Sequence, residues 1–149
     1  MAVTVSPSAD GDRDLIERLM QLYLHDFSQF DERELGEDGR FAYPWLDAYW
    51  SDRDRRAYLF RVDDHPAGFA LVRLTDPIEM AEFFVVRKYR RSGVGASAAR
   101  QVFAHHPGEW SVSEIARNFP AVAFWHAVIP GPFDERTHTD GAIEQRFTT

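Results

Sequence analysis

The segment best suited to chemistry runs from residue 85 to residue 96 and reads VVRKYRRSGVGA. It joins the end of a predicted strand to the start of a predicted helix through a basic loop that contains Gly93 and Gly95. Backbone N–H groups at a helix N-terminus lack partners inside the helix, and the helix dipole adds positive charge there. Glycines let a ligand approach that backbone. The segment therefore suits a phosphate or pyrophosphate, although a plain strand-to-helix turn explains it equally well.

Carboxylates and histidines supply the candidate acid–base groups. Glu79 and Glu82 lie on the strand that leads into the basic loop, where a carboxylate could take a proton from a nucleophile. Because they are three residues apart, a regular strand would turn at most one of them toward a shared cleft. A solvated or salt-bridged carboxylate is the alternative for each. His25 and Asp26 end the first predicted helix, where a histidine is also favourable for the helix alone.

An aromatic run from residue 43 to residue 50 reads YPWLDAYW. With Asp47 it could bind a cationic ligand through cation–π contacts, or its rings could cover the core. His105, His106 and His138 lack the spacing of metal ligands, so we expect no metal. The basic residues Arg87, Lys88, Arg90 and Arg91 form either a solvated loop or further contacts to phosphates.

The elements that position these residues follow from the hydrophobic pattern. Helical spacing of Leu15, Ile16, Leu19, Leu22, Tyr23 and Phe27 predicts a helix over 12–27, with Asp10 or Asp12 as its N-cap. We predict a short helix near 43–50 with Pro44 in its first turn, strands near 58–62, 68–74, 79–86 and 110–115, helices near 93–105 and 120–128, and one or two strands in 133–147. This order predicts an α/β domain with a mixed sheet over residues 1–149.

Composition excludes several classes of protein. The 149 residues carry a net charge of −7, and none of them is cysteine. A disulfide scaffold, a thiolate zinc site and a cysteine nucleophile are therefore excluded, and the acidic charge argues against nucleic acid. The first ten residues lack the features of a signal peptide. The longest stretch without formal charge is shorter than the ~20 residues of a membrane helix, so we expect a cytoplasmic protein.

Two motifs in this chain resemble those of the GCN5-related N-acetyltransferases, the GNAT superfamily. The first, RRSGVG at 90–95, resembles the (Gln/Arg)-x-x-Gly-x-(Gly/Ala) loop, which in that family binds the pyrophosphate of acetyl-CoA. The second, NFPAVAFW at 118–125, is similar to the family's Asn-x-x-Ala-x-x-x-Tyr segment. The order of the predicted elements fits the family over nearly the whole chain. Residues 23–28 and 82–85 also look like a bacterial branch of predicted acetyltransferases.

The resemblance implies a GNAT-like acyl-CoA N-acyltransferase fold, in which helices flank a mostly antiparallel sheet. It implies that the strand ending in Phe83, Phe84 and Val85 splays from its neighbour and binds the pantetheine arm. The coenzyme residues carried over are Phe83, Phe84, Val85, Arg90, Arg91, Ser92, Gly93, Val94, Gly95, Ala96 and Asn118. In the family the first two helices overhang the acceptor, which makes His25, Asp26 and Tyr43 candidate substrate contacts. Some members hold a base on the strand that leads to the pyrophosphate loop, which makes Glu82 and Glu79 candidate bases.

Two departures from the family pattern affect catalysis. Trp125 stands where the family has a tyrosine that protonates the coenzyme thiol, and an indole cannot act as that acid. Ser113 occupies the position of another branch's glutamate base, while Glu114 is one residue off and on the other face of a regular strand. We therefore expect Trp125 to pack in the core or to wall the cleft.

The sequence thus predicts an acetyl-CoA-dependent N-acetyltransferase that acts directly on a primary amine of a small molecule or peptide. The alternative is a non-catalytic acetyl-CoA-binding sensor or interaction domain; a weaker one is another acyl group or an oxygen acceptor. Aromatic surface on the second helical segment could support a homodimer.

Overall fold

A computed structural model describes residues 2–149; Met1, the first of the ten amino-terminal residues considered above, lies outside the described residues. The described residues form β1 (Val3–Pro7), α1 (Arg13–Phe27), α2 (Ala48–Ser51), β2 (Arg55–Val62), β3 (His65–Arg73), β4 (Ile78–Val85), α3 (Val94–His105), β5 (Glu109–Glu114), α4 (Phe119–Val128), β6 (Asp134–Thr137) and β7 (Ile143–Thr148). Two short 3-10 turns occur at Asp10–Asp12 and Arg87–Tyr89.

All the strands join one sheet in the order β1-β2-β3-β4-β5-β7-β6. Neighbouring strands are antiparallel except β4 and β5, which run parallel and are connected through α3. Helices cover both faces, since α3 and α4 pack on one core and α1 and α2 on the other. The predicted mixed α/β fold, with a mostly antiparallel sheet flanked by helices, is confirmed.

Most of the helices and strands lie where the hydrophobic periodicity of the sequence predicts them. On β3, every residue from Ala67 to Val72 that has a side chain is buried, as expected of a central strand. On α3, the predicted stripe of Val94, Ala98 and Val102 is fully buried. The predicted tail strands are β6 and β7. β3, α3 and β7 could be predicted because each shows its buried face within a few residues of sequence, whereas all four residues of β6 are exposed.

Three local predictions need correction. Leu22 is 51% exposed, and Met20 and Leu24 fill the α1 face of the core instead. Asp12 precedes α1, but its carboxylate accepts the backbone N–H of Ala9 at 3.0 Å and does not cap α1. The helix predicted near 43–50 is confined to α2, so Pro44 lies in a turn before it.

The strand β1 was not predicted. It pairs with β2 at the edge of the sheet, where Val3 and Val5 are only partly buried and pack against the α3 core. An edge strand with two half-buried side chains gives a weak hydrophobic signal. Among residues 2–149, no helix combines the length and the apolar character needed to cross a bilayer.

Candidate functional site

The sheet opens between its two parallel strands. Only Ile78 and Glu79 of β4 pair with β5, at Trp110 and Ser111, whereas β4 continues to pair with β3 as far as Val85. From Met80 onward, the edge of β4 that faces β5 therefore has no strand partner among the described residues. Backbone N–H and C=O groups require hydrogen bonds. This splayed edge, residues 80–85, can accordingly bind an extended ligand through main-chain hydrogen bonds.

The basic loop and the start of α3 follow directly from the splayed edge. Gly93 precedes α3 with φ of 83°, and Arg91 has φ of 60°, so the chain turns through two left-handed residues before the helix begins. The first backbone hydrogen bond of the helix runs from Ser97 N to Gly93 O. The N–H groups of Val94, Gly95 and Ala96 are thus the free donors at this helix end. Ser92 is also fixed locally, since its hydroxyl donates to the Tyr89 carbonyl at 2.7 Å.

Asp26 joins the end of α1 to this loop. Its two carboxylate oxygens accept hydrogen bonds from Arg87 at 2.7 Å and Arg90 at 2.6 Å. Partial burial would raise the pKa of Asp26, but the guanidinium groups of Arg90 and Arg87 outweigh that effect and hold the pKa below its usual value. Arg90 also donates to the Val85 carbonyl at 2.9 Å. Asp26 is therefore an ion-pair partner of the loop. Because both of its carboxylate oxygens are engaged, it is not available as a general base.

The pairing with Asp26 divides the basic residues of the loop into two kinds. Arg87 and Arg90 share one carboxylate, and the Arg90 guanidinium also lies over the Phe84 ring at 5.5 Å. Lys88 and Arg91 are exposed, and neither has an acidic partner within residues 2–149. Lys88 and Arg91 are therefore the cations of this loop available to an anionic ligand.

Gly95 has a packing role that the sequence did not reveal. A Cβ atom at this position would lie 2.9 Å from Cε1 of Phe124 on α4, closer than real Cβ contacts. A Gly95→Glu change, which the sequence predicts to block a coenzyme and leave the fold intact, would have to displace the Phe124 ring. A test of the loop must use an exposed position instead.

A β-bulge at Ala81 changes which side chains share a face. Leu71 pairs with Glu82 while the next residue, Val72, pairs with Met80, so Ala81 is an extra residue in β4. Ile78 and Met80, which are two residues apart, face the α3 core, whereas Ala81 packs on the α1 core. Glu79 and Glu82 consequently lie on the same face, toward α1. The expectation that at most one of them could do so is wrong because the bulge interrupts the two-residue period.

Glu82, unlike Glu79, forms no ion pair among residues 2–149. The Tyr23 hydroxyl donates a hydrogen bond to Glu82 Oε1 at 3.3 Å. Burial raises the pKa of Glu82 from 4.5 to about 7, against the lowering effect of Tyr23 and of the Arg33 charge, and the Glu79 charge adds to the rise. A carboxyl that is half ionised near neutral pH can take up and release a proton under ordinary conditions.

Glu79 differs from Glu82 although both share the strand and the face. Its side chain is 43% exposed and forms an ion pair with Arg73 at 3.8 Å. Arg73 lies directly opposite it on β3. Of the two candidate bases, geometry favours Glu82, and Glu79 matches the salt-bridged alternative.

The candidate substrate residues separate in the structure. His25 is exposed, and Asp26 is engaged by the basic loop. Tyr43 is half-buried; burial raises its pKa, and the negative charge of Glu82 adds to the rise. Tyr43 thus lies close enough to Glu82 for the carboxylate charge to affect its ionisation. Of the aromatic run, Tyr49 is buried and Trp45 is 59% exposed.

The second family-like motif mostly builds structure. The side-chain oxygen of Asn118 accepts the Ala121 N–H at 3.2 Å, so this residue caps α4. Trp125 is 6% exposed, and its ring packs on Phe83 at 5.1 Å and Phe124 at 4.9 Å. The expected packing of Trp125 in the core is confirmed.

Glu114 is buried whereas Ser113 is exposed, so the two lie on opposite faces of β5, as the sequence predicted. Oε1 of Glu114 accepts Gln145 Nε2 at 2.9 Å, but among residues 2–149 neither its Oε2 nor Gln145 Oε1 has a hydrogen-bond partner. Burial raises the pKa of Glu114 from 4.5 to about 7. A protonated Glu114 carboxyl could donate where the ionised form cannot.

We expect Glu114→Gln to raise the free energy of unfolding by about 1–2 kcal/mol at pH 8. The folded pKa exceeds the unfolded one, so the wild type loses stability as pH rises from 4.5 to about 7. Glutamine keeps the acceptor, adds a donor and does not ionise. Urea titrations at pH 5 and pH 8 should show a gain that grows with pH. The exposed Glu109→Gln change on the same strand is the control, and an equal gain there would contradict the prediction.

A separate surface groove of about 440 Å³ lies between α1 and residues 34–47. Its lining includes Gln21, whose side chain exchanges two hydrogen bonds of 2.8 Å with the Phe41 backbone. The groove contains Tyr43 but neither Glu82 nor the splayed edge. We assign it no chemical step.

Tyr23 is the site residue that sequence reasoning missed. The sequence places it in the apolar stripe of α1, which it does join through its ring. The available signal was its hydroxyl, since a tyrosine on a buried face needs a hydrogen-bond partner. The sequence could not name that partner, which lies 59 residues away.

The model of the acetyltransferase (GNAT) family matches residues 16–128. Among curated proteins, no sequence matches the chain significantly.

Several solved structures share the fold. An acetyltransferase from Thermus thermophilus superposes with a TM-score of 0.76 at 18% identity, covering 100% of this chain and 98% of that one. The PaiA N-acetyltransferase from Thermoplasma acidophilum, in complex with coenzyme A, gives 0.71 at 12% identity and covers 100% of both chains. A streptothricin acetyltransferase described for Bacillus anthracis, in complex with acetyl coenzyme A, gives 0.62 at 15% identity, with 100% and 98% covered. At these identities the likeness establishes the fold.

Proposed function

The chain belongs to the acetyltransferase (GNAT) family, and we propose that it transfers an acetyl group from acetyl-CoA directly to a primary amine. The observation that carries this proposal is the Glu82 carboxyl, whose pKa is raised to about 7, on the strand that splays from β5. The strand β4 thus carries both a free main-chain edge for an extended ligand and Glu82, a group able to accept a proton.

The coenzyme site is assigned to the splayed edge and the start of α3. The free edge of β4 near Phe83–Val85 would take the pantetheine arm, and the N–H groups of Val94, Gly95 and Ala96 would take the pyrophosphate. Lys88 and Arg91 add positive charge at the same end. Arg90 would act through its ion pair with Asp26, since its guanidinium is already engaged.

The proposed reaction needs a neutral amine beside the thioester. Glu82 accepts a proton from the ammonium form, and the amine nitrogen attacks the thioester carbonyl carbon. A C–N bond forms and the C–S bond breaks; the second nitrogen proton passes to the coenzyme sulfur, and Glu82 returns its proton to solvent. Holding both reactants in one cleft supplies much of the acceleration. Without cysteine in the chain, no thiol of the protein can carry the acetyl group.

Calorimetric titration of the purified protein with acetyl-CoA tests the coenzyme assignment. We expect saturable binding in the micromolar range, with CoA titrated alongside for comparison. A panel of primary amines then tests turnover through release of free CoA. A folded protein that binds neither acetyl-CoA nor CoA would contradict the proposal.

A second candidate function is coenzyme binding without turnover, as in a sensor or interaction domain. Trp125, which is buried where the family has its acidic tyrosine, favours it. Acetyl-CoA binding with no CoA release above the uncatalysed rate, for every amine tested, would support this candidate. Competition by other acyl-CoA molecules would test the choice of acyl group.

A further inference from the structure

Tyr23 is held rigidly against the candidate base. Its ring packs on Phe27, Phe69 and Phe84, with centroid separations of 5.7, 5.8 and 5.7 Å. These contacts involve α1, β3 and β4, so the ring is fixed from three elements. The hydroxyl then reaches Glu82 Oε1 at 3.3 Å. Burial raises the pKa of Tyr23, and the Glu82 charge adds to the rise, so this hydroxyl remains a donor at any physiological pH.

The two oxygens of Glu82 differ in their surroundings. Oε1 accepts the Tyr23 hydroxyl, whereas Oε2 has no hydrogen-bond donor among residues 2–149 and is not sealed from solvent. An ionised carboxylate has lone pairs on both oxygens. Holding one oxygen therefore restricts the rotation of the carboxylate and leaves the other oxygen free to accept a proton.

We propose that Tyr23 is the positioning residue for Glu82: its hydroxyl holds Oε1, so that Oε2 faces the cleft and receives the proton of the acceptor amine. This inference rests on the proposed function, because it assigns Tyr23 a task in that reaction. It also gives α1 a direct connection to the chemistry. Tyr23 acts through Glu82 and does not itself exchange a proton.

Other charged and titratable groups face this pair from every neighbouring element. Arg33, in the loop after α1, favours the ionised form of Glu82, while Glu79 on β4 opposes it. Tyr43 and Tyr49 lie near enough for the Glu82 charge to raise their pKa values. Arg55 on β2 and Arg73 on β3 act on Tyr49 in the opposite direction. Among all these groups, Tyr23 makes the one hydrogen bond to Glu82.

Removing the Tyr23 hydroxyl should make Glu82 harder to ionise. A hydrogen bond donated to a carboxylate stabilises its charged form, so its loss raises the pKa. In Tyr23→Phe, we expect the Glu82 titration to move upward by roughly half to one pH unit. The ring remains, so the packing against the three phenylalanines is kept.

The measurement is ¹³C NMR of the glutamate carboxyl carbons over pH 4–9 in the full chain, with the Glu82 signal assigned through Glu82→Gln. Tyr58→Phe is the matched control, because the Tyr58 hydroxyl lies on the opposite face and contacts His106 at 2.5 Å. We expect the Glu82 midpoint to rise in Tyr23→Phe and to stay unchanged in Tyr58→Phe. The acid limb of kcat/KM should move with it for any amine that turns over, while acetyl-CoA binding stays constant.

The outcomes separate this inference from the function on which it rests. An unchanged Glu82 midpoint in Tyr23→Phe, or an equal rise in the control, would overturn the role of Tyr23. Full turnover by Glu82→Gln would instead overturn the base assignment itself. Failure to bind acetyl-CoA in calorimetry would overturn the coenzyme site, independently of either titration.

Discussion

Glu82→Gln should lower kcat for acetyl transfer by about 10²–10⁴-fold, the range that a general base contributes. The amide keeps an oxygen for the Tyr23 hydroxyl but cannot accept the proton of the amine. Because the Glu82 pKa is about 7, the wild-type rate should rise as pH increases through 7, as the carboxylate ionises. That rise should vanish in the variant. CoA release measured from pH 5.5 to pH 9 tests both effects.

Glu79→Gln is the matched control for this experiment. Glu79 lies on the same strand and the same face, but its carboxylate is exposed and paired with Arg73. We expect its kcat to stay within about threefold of wild type. Acetyl-CoA binding should be unchanged in both variants. Comparable losses in the two variants, or no loss in either across the pH series, would refute the assignment of Glu82 as base.

Arg91→Glu should weaken acetyl-CoA binding by about 10- to 100-fold. Each unit charge a few ångströms from a phosphate contributes about 1 kcal/mol in water, and the variant changes the local charge by two. Arg91 is exposed and already adopts φ of 60°, so the replacement neither opens a cavity nor adds a new kind of backbone strain. Calorimetry at two salt concentrations measures the loss, which should shrink as salt rises.

Arg53→Glu provides the same charge change at a distant exposed position. It lies in the turn before β2, whose first residue, Arg55, pairs with Arg73 at one end of β3, whereas Val85, before the basic loop, pairs with Gly68 toward the other end. We expect its affinity for acetyl-CoA to remain within about twofold of wild type, since screening weakens charges beyond roughly 10 Å. If Arg91→Glu bound acetyl-CoA as tightly as this control, the phosphate end of the coenzyme would have to lie elsewhere.

The sequence by itself determined the order of the elements from α1 onward and the family. Three features can each be recognised within about a dozen residues of sequence. They are the apolar stripe of α3, the strand β3 that is buried on both faces, and the loop from Arg90 to Gly95. Their periods of 3.6 and 2 are local properties of helix and strand, so no distant partner was needed to recognise them. The packing of Trp125 also followed from residue type, because an indole has no acid chemistry to offer.

The tertiary structure decided which of the candidate residues meet. The bulge at Ala81 depends on how β4 pairs with β3, and it brought Glu79 and Glu82 to one face against the regular alternation. Asp26, a candidate substrate contact, is engaged by two arginines more than 60 residues away in the chain. Asn118, a predicted coenzyme contact, caps α4 through its side-chain oxygen.

Tyr23 shows the physical reason for this division. Its ring follows the helical period of α1 and could be read from the sequence as part of a buried face. Its hydroxyl found a carboxylate on another element, 59 residues away, and that pairing depends on the register of the sheet and the position of the helix upon it. The local periodicity of the sequence predicts which side chains are buried. A hydrogen bond between side chains far apart in the sequence forms only when tertiary packing brings them within hydrogen-bond distance.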